Sequence, residues 1–237
     1  MVREEAAEPS ELHGTRLVLV MTAICMTVVA YNTTAVVTIL PNLKSGFDLT
    51  PTELQWVMAV YTVTGATFVP ILGRLGDIVG KMKVFFFGMA CFSAGSLAVV
   101  VAPDGAILLA GRAAQGAGAA ALFGTSLSLL NAATPEERRA SVTGIWGAMI
   151  GLGMSLGPIV GGTFADYLNW RGVFISDLVL LAIAFVLGLR VARRGYVPER
   201  RKPDAKFDTA GGRAWRPCIR NPTTRGSRLG WPAGREA

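Results

Sequence analysis

Residues 106–130 read AILLAGRAAQGAGAAALFGTSLSLL, twenty-five positions with one charge, Arg112. A helix rising about 1.5 Å per residue needs about twenty apolar residues to cross roughly 30 Å of hydrocarbon. This stretch is long enough, and its glycines and alanines suit close helix–helix approach within a bilayer. Working outward, five further apolar segments appear at about 17–40, 55–72, 84–102, 142–164 and 173–189. The expected fold is therefore an all-α membrane protein: six transmembrane helices forming one bundle, followed by a disordered basic tail. Its domains are expected as a cytoplasmic segment 1–16, a bundle 17–189 and a basic cytoplasmic tail 190–237.

Composition agrees. Of 237 residues 51% are hydrophobic and only 16% charged, and the mean hydropathy is +0.45, whereas soluble domains carry about 25% charge. The net charge of +7 is uneven: from Arg190 onward there are thirteen Lys or Arg against four Asp or Glu. The basic character thus belongs to the tail, which shows no nucleic-acid motif. The connectors alternate as well. Arg74, Lys81 and Lys83 lie in 73–83, and Arg138 and Arg139 in 131–141, while 41–54 holds only Lys44 and 165–172 only Arg171. By the positive-inside rule both termini are expected in the cytoplasm. The first apolar run is too long for a signal h-region and is expected to remain as an uncleaved span.

Several chemistries are excluded. His13 is the only histidine and precedes the first span, and Cys25, Cys91 and Cys218 have no metal-ligand spacing. Gly153-Met-Ser155-Leu-Gly157 matches a serine-hydrolase elbow, but it sits in mid-span with no histidine to serve it. Gly116-Ala-Gly118 loosely matches a dinucleotide loop without a preceding strand. No enzyme, cofactor or metal is expected.

Three constellations interrupt the apolar background. The first is Gly73-Arg-Leu-Gly-Asp77-Ile-Val-Gly80-Lys81-Met-Lys83, read as a tight connector in which glycines allow a sharp reversal and Asp77 caps a helix or meets a cation. An ordinary positive-inside loop explains its cations but not its ordered glycines. The second is Arg112 with Gln115, three apart on one helix face. A charge at membrane depth costs at least ~2.5 kcal/mol, so Arg112 should face a cavity or a partner; snorkelling to the outer interface is the alternative. The third runs from Gly144 to Gly162. Gly147 and Gly151, and Gly153, Gly157 and Gly161, are spaced four apart, which suits either a flexible seam or a tightly packed, inert helix, and Pro158 invites a kink. Asp177 is the only acid inside a proposed span and is expected near its outer end.

Taken together, these stretches resemble the major facilitator superfamily, specifically its drug:proton antiporter branch of the fourteen-span type. Gly73, Asp77, Gly80 and Lys81 match its loop motif; Arg112, Gln115, Gly116 and Gly118 its span-four motif; Gly153, Gly157, Pro158, Gly161 and Gly162 its span-five motif. Asn169-Trp170-Arg171 with Val173-Phe174 is similar to the start of span six, and Tyr31 to Pro41 to the first-span motif. The resemblance covers about residues 16–209 and implies alternating access, with an efflux transporter of the plasma membrane exchanging protons for lipophilic or cationic molecules. It further implies a conformational latch at Gly73, Asp77, Gly80 and Lys81, proton coupling at Arg112 and Gln115, and a helix seam at Gly153, Gly157, Pro158, Gly161 and Gly162. Asn32, Thr34, Trp56 and Tyr61 become cavity residues. The driving force would be the proton gradient. Partners would be the lipid bilayer, the small-molecule substrate, and a second copy or a separate C-terminal half.

Two departures stand out. Where that subgroup places an acid in span one, this chain has Asn32, and an amide does not take up a proton near neutral pH. After Leu189 no long apolar run follows, and beyond about residue 212 the chain turns rich in Arg, Gly and Pro. The expectation is a frameshift or early stop there, leaving an N-terminal half. The competing reading is an inactive truncated fragment that only associates with other membrane proteins.

Overall fold

The computed structural model describes residues 9–194, with side chains from Gly14 onward. They form six long helices: α1 (Pro9–Phe47), α2 (Pro51–Val79), α3 (Lys81–Val100), α4 (Gly105–Ala132), α5 (Arg139–Tyr167) and α6 (Arg171–Arg194). A 3₁₀ turn at Glu136–Arg138 precedes α5. All six are long and apolar enough to cross a membrane. The described residues lie within one compact unit, Met1–Pro203; the tail expected from 190 lies outside the described residues after Arg194.

The helix starts follow from local chemistry. Thr50 and Glu53 form a reciprocal capping box ahead of α2, with Pro51 in the first turn. Asp104 caps α4 by accepting from the Ile107 amide at 2.9 Å. Asn169 accepts from the Arg171 amide at 2.9 Å and opens α6. The connector expected at 73–83 is in fact almost wholly helical: α2 continues through Val79, and a single residue, Gly80, separates it from α3. Arg74 and Asp77 are polar, but they are compatible with a helix. At Gly80 φ is 115°, a backbone conformation glycine reaches without strain.

The packing order is set by small residues. α1 lies against α5, α6 and α4, while α4 lies against α3, α2 and α1, and α3 also meets α6. Lipid offers no hydrophobic drive for helix pairing, so close backbone approach and hydrogen bonds decide which helices meet. α4 carries glycines on two faces. Gly111 and Gly118 sit against α3 backbone at Gly95, Gly88 and Phe92, and Gly116 and Gly124 against α2 backbone at Tyr61, Val69 and Gly73. The core between the helices is filled by Met21, Met26, Phe85, Phe92, Leu122 and Phe174.

α2 and α5 are the outliers. Only 17% of their apolar windows is buried, against 56% for α1 and α4. Val63, Phe68 and Ile71 on α2, and Ile145, Leu152 and Ile159 on α5, are exposed.

The candidate transport site: a buried charge network and its flanking seams

Arg112 stands eight residues into α4, about 10 Å along the axis from its start. It does not snorkel: the side chain is fully buried. Its Nε donates to the Val57 carbonyl of α2 at 3.2 Å, and the guanidinium lies 4.3 Å from the centre of the Tyr61 ring. Nη1 donates to Asn32 Oδ1 of α1 at 2.7 Å and to Gln115 Oε1 at 2.8 Å.

Both amides then pass the contact onward. Asn32 Nδ2 donates to Asp177 Oδ2 of α6 at 2.7 Å. Gln115 Nε2 donates to Ser96 Oγ of α3 at 2.8 Å and reaches Asp177 Oδ2 at 3.5 Å, and Ser96 Oγ donates to that same oxygen at 3.3 Å. The cation thus meets the oxygen end of each amide and the anion the nitrogen end, so the dipoles line up between the charges. The result is an ion pair bridged by two amides, drawing on α1, α2, α3, α4 and α6.

This corrects the expectation for Asp177. It does not lie at the outer surface but is fully buried, because Asn32 of α1, Ser96 of α3 and Gln115 of α4 close around it. The pairing of Asp177 with Asn32 spans 145 residues, and no local spacing encodes that. A signal was nevertheless present: an Arg at membrane depth calls for a counter-charge, and Asp177 was the only acid in any proposed span.

The other residues expected to line a cavity are not gathered in one place. Tyr61 is buried, stacks on Arg112 and donates to the Val29 carbonyl at 3.2 Å. Trp56, next to Val57, is 54% exposed. Thr34 belongs to the contact with α5, where its Oγ1 donates to the Met154 carbonyl at 3.0 Å.

That bond explains the span-five motif locally. Pro158 has no N–H, so the Met154 carbonyl four residues earlier has no helical partner, and Thr34 supplies one. Thr27 Oγ1 and Asn42 Nδ2 likewise donate to the Met149 and Ala165 carbonyls, at 3.3 Å each. Gly153, Gly157 and Gly161 let the α1 backbone in at Thr27, Tyr31 and Ala35. In contrast, Gly144, Gly147, Gly151 and Gly162 have nothing within 4 Å of a notional Cβ, so α5 carries one used glycine ridge and one open one. Thr34→Val is expected to cost about 1 kcal/mol of bundle stability. It should cost clearly less in a Pro158→Ala background, where residue 158 supplies its own N–H. Detergent-unfolding midpoints of the four proteins measure this cycle, and equal costs in the two backgrounds would refute it.

The residues expected as a latch lie at the other end of α4. Asp77 and Lys81 form an (i, i+4) ion pair at 3.6 Å, both partly exposed, a type worth at most about 1 kcal/mol. Lys81 Nζ also donates to Ser128 Oγ of α4. Gly73 faces the Gly124 backbone, and Gly76 faces Thr125. The start of α6 has its own clasp: Arg171 Nε donates to the Val100 carbonyl at 2.9 Å, and Trp170 packs edge-on to Phe47 and Phe174.

Ser155, the centre of the apparent hydrolase elbow, is exposed and merely bonds back to the Gly151 carbonyl at 3.0 Å. Gly116 and Gly118 are packing glycines.

Six apolar helices around buried charge define a multi-pass membrane protein. The chain belongs to the Major Facilitator Superfamily, whose family model matches residues 22–232. That match runs past residue 209, the expected end of the resemblance. The chain is 34% identical over 197 residues to the multidrug resistance protein Stp of Mycobacterium tuberculosis, covering 82% of this chain and 36% of that protein. It is 32% identical to the methylenomycin A resistance protein of Streptomyces coelicolor, covering 81% and 40%. It is 28% identical to the riboflavin transporter RibZ of Clostridioides difficile, covering 72% and 37%. The chain therefore spans well under half the length of these relatives.

Proposed function

We propose that this chain supplies the first six-helix bundle of a proton-coupled efflux transporter for lipophilic or cationic small molecules. It would act in the plasma membrane with both termini cytoplasmic. The observation that carries the reading is the buried Arg112 network, a charge arrangement more costly to bury than helix packing alone requires. A stable inert bundle would gain by replacing it with well-packed apolar groups. The two relatives named for resistance favour export, and the riboflavin transporter marks the substrate as the variable part.

A bundle of this kind binds at its interface with a second one. The exposed faces of α2 and α5 and the open glycine ridge of α5 support such a partner, either a second copy or a separate C-terminal half. Asp77 and Lys81 would steady one conformation, Arg112 and Gln115 would couple protons, and the α1–α5 seam would accommodate the movement.

Dye efflux from energised cells tests this. Cells with the chain in their membranes should export ethidium faster than empty-vector cells, and a proton uncoupler should remove the difference. Efflux no faster than in empty-vector cells, with the chain present in the membrane, would overturn transport by this chain on its own and favour the inert-fragment reading.

A further inference from the structure

We infer that Asp177 is the proton-carrying group of this bundle, moved from α1 to α6 across a single hydrogen bond. The inference rests on the proton-coupled reading above and names its site. The resembling subgroup keeps an acid in span one where this chain has Asn32, which cannot titrate. Asp177 is bonded to that same side chain, Asn32 Nδ2 to Asp177 Oδ2, at 2.7 Å. A carboxylate therefore remains at the site, contributed by the facing helix.

The geometry leaves one oxygen for the proton. Asn32, Ser96 and Gln115 all direct their donors at Oδ2, at 2.7, 3.3 and 3.5 Å. Oδ1 is buried and has no hydrogen-bond partner among the described residues, and neither has Arg112 Nη2. A carboxylate serving only to anchor helices would have both oxygens satisfied. Here Oδ2 holds the group in place while Oδ1 keeps its lone pairs. Uptake of one proton forms an O–H bond at Oδ1, neutralises the carboxylate and breaks no existing bond at Oδ2. Arg112 is then the uncompensated charge in the core, so the protonation state of Asp177 sets the balance of forces on α1 and α4.

The groups facing Asp177 are consistent with this role. α1 presents the Tyr31 hydroxyl, which approaches the Asp177 carboxyl group while bonded to the Val173 carbonyl and Ser176, and α4 presents Arg112; Tyr61 of α2 lies within electrostatic range. α3 presents Ser96, its own charges Lys81 and Lys83 lying at its far end. α5 carries only Arg139, Asp166 and Tyr167, near its two ends. Among the described residues no second carboxylate lies within the network to compete for the proton.

The test is infrared spectroscopy of the full chain in phosphatidylcholine membranes, titrated with pH, alongside dye efflux. Subtracting the Asp177→Asn pH-difference spectrum from the wild-type one should leave a single protonated-carboxyl band. Identical spectra would overturn the assignment. Should Asp177→Asn fail to fold, the exchange Asn32→Asp/Asp177→Asn keeps one acid and one amide on the same bond. Its band should shift in frequency and pH midpoint from the wild-type band, and an unmoved band would belong to another carboxyl and overturn the site. A titrating band in a chain that drives no efflux would sink transport by the chain on its own and keep the proton site. Efflux whose proton dependence survives Asp177→Asn would keep transport and sink the site.

Discussion

Replacing Arg112 by Ala is expected to reduce energised efflux to the empty-membrane level and to destabilise the bundle by about 3–5 kcal/mol. That range is typical of removing one partner from a buried charge pair. The size of the effect follows from what is left behind. Asp177 would remain buried without its counter-charge, and the oxygens of Asn32 and Gln115 would lose the donor that polarises them. The Val57 carbonyl and the Tyr61 ring would lose their contacts too. Arg112→Lys keeps the charge but not the planar fork that reaches Asn32, Gln115 and Val57 together, and should fall between. The double variant Arg112→Ala/Asp177→Asn separates stability from coupling. With both charges gone, most of the lost stability should return while efflux stays absent. Thermal midpoints and efflux rates on the same preparations measure both, and efflux unchanged by Arg112→Ala would refute the coupling role.

The second large effect is steric. A Cβ at Gly118 would stand 2.8 Å from the Gly88 carbonyl oxygen and from Phe92 Cα, and closer still to the Phe92 amide nitrogen. These are backbone atoms of α3 and cannot swing aside, so Gly118→Val must push α3 and α4 apart. The expected loss is about 3 kcal/mol, at the upper end of ordinary overpacking. Gly147→Val is the matched control: nothing lies within 4 Å of its Cβ position, and its midpoint should shift by less than about 0.5 kcal/mol. Equal losses at the two positions would mean that helix propensity, not helix approach, governs both.

These residues also show how far the sequence could be read. The six apolar segments fall on the six helices because length and low charge alone identify a membrane span. Their ends were read short wherever a charge marked the boundary. Arg74 and Asp77 fall in the expected connector, yet both lie in α2, which ends only at Val79. Charges report the edge of hydrocarbon, whereas the helix ends where the backbone turns. Arg112 with Gln115 was visible because both lie on one helix, three residues apart. Asn32 with Asp177 was not, since their contact exists only once α1 and α6 are packed. On α5 the spacing of the glycines revealed two ridges but not which one faces α1, and the Thr34–Met154 bond decides that through the carbonyl Pro158 leaves free.

The single residue between α2 and α3 constrains motion as well as shape. Consecutive Cα atoms sit about 3.8 Å apart, so with only Gly80 between them the ends of α2 and α3 can change their mutual angle but hardly their separation. The joint is a pin, not a tether. α3 is locked to α4 along its length by Gly88, Gly95, Gly111 and Gly118, so the pivot is fixed to the body of the bundle. The opposite end of α2 connects through the residues 48–50 and has slack that Gly80 lacks. Any swing of α2, the helix with so little of its surface buried, therefore has its largest amplitude at the Pro51 end and its smallest beside Asp77 and Lys81.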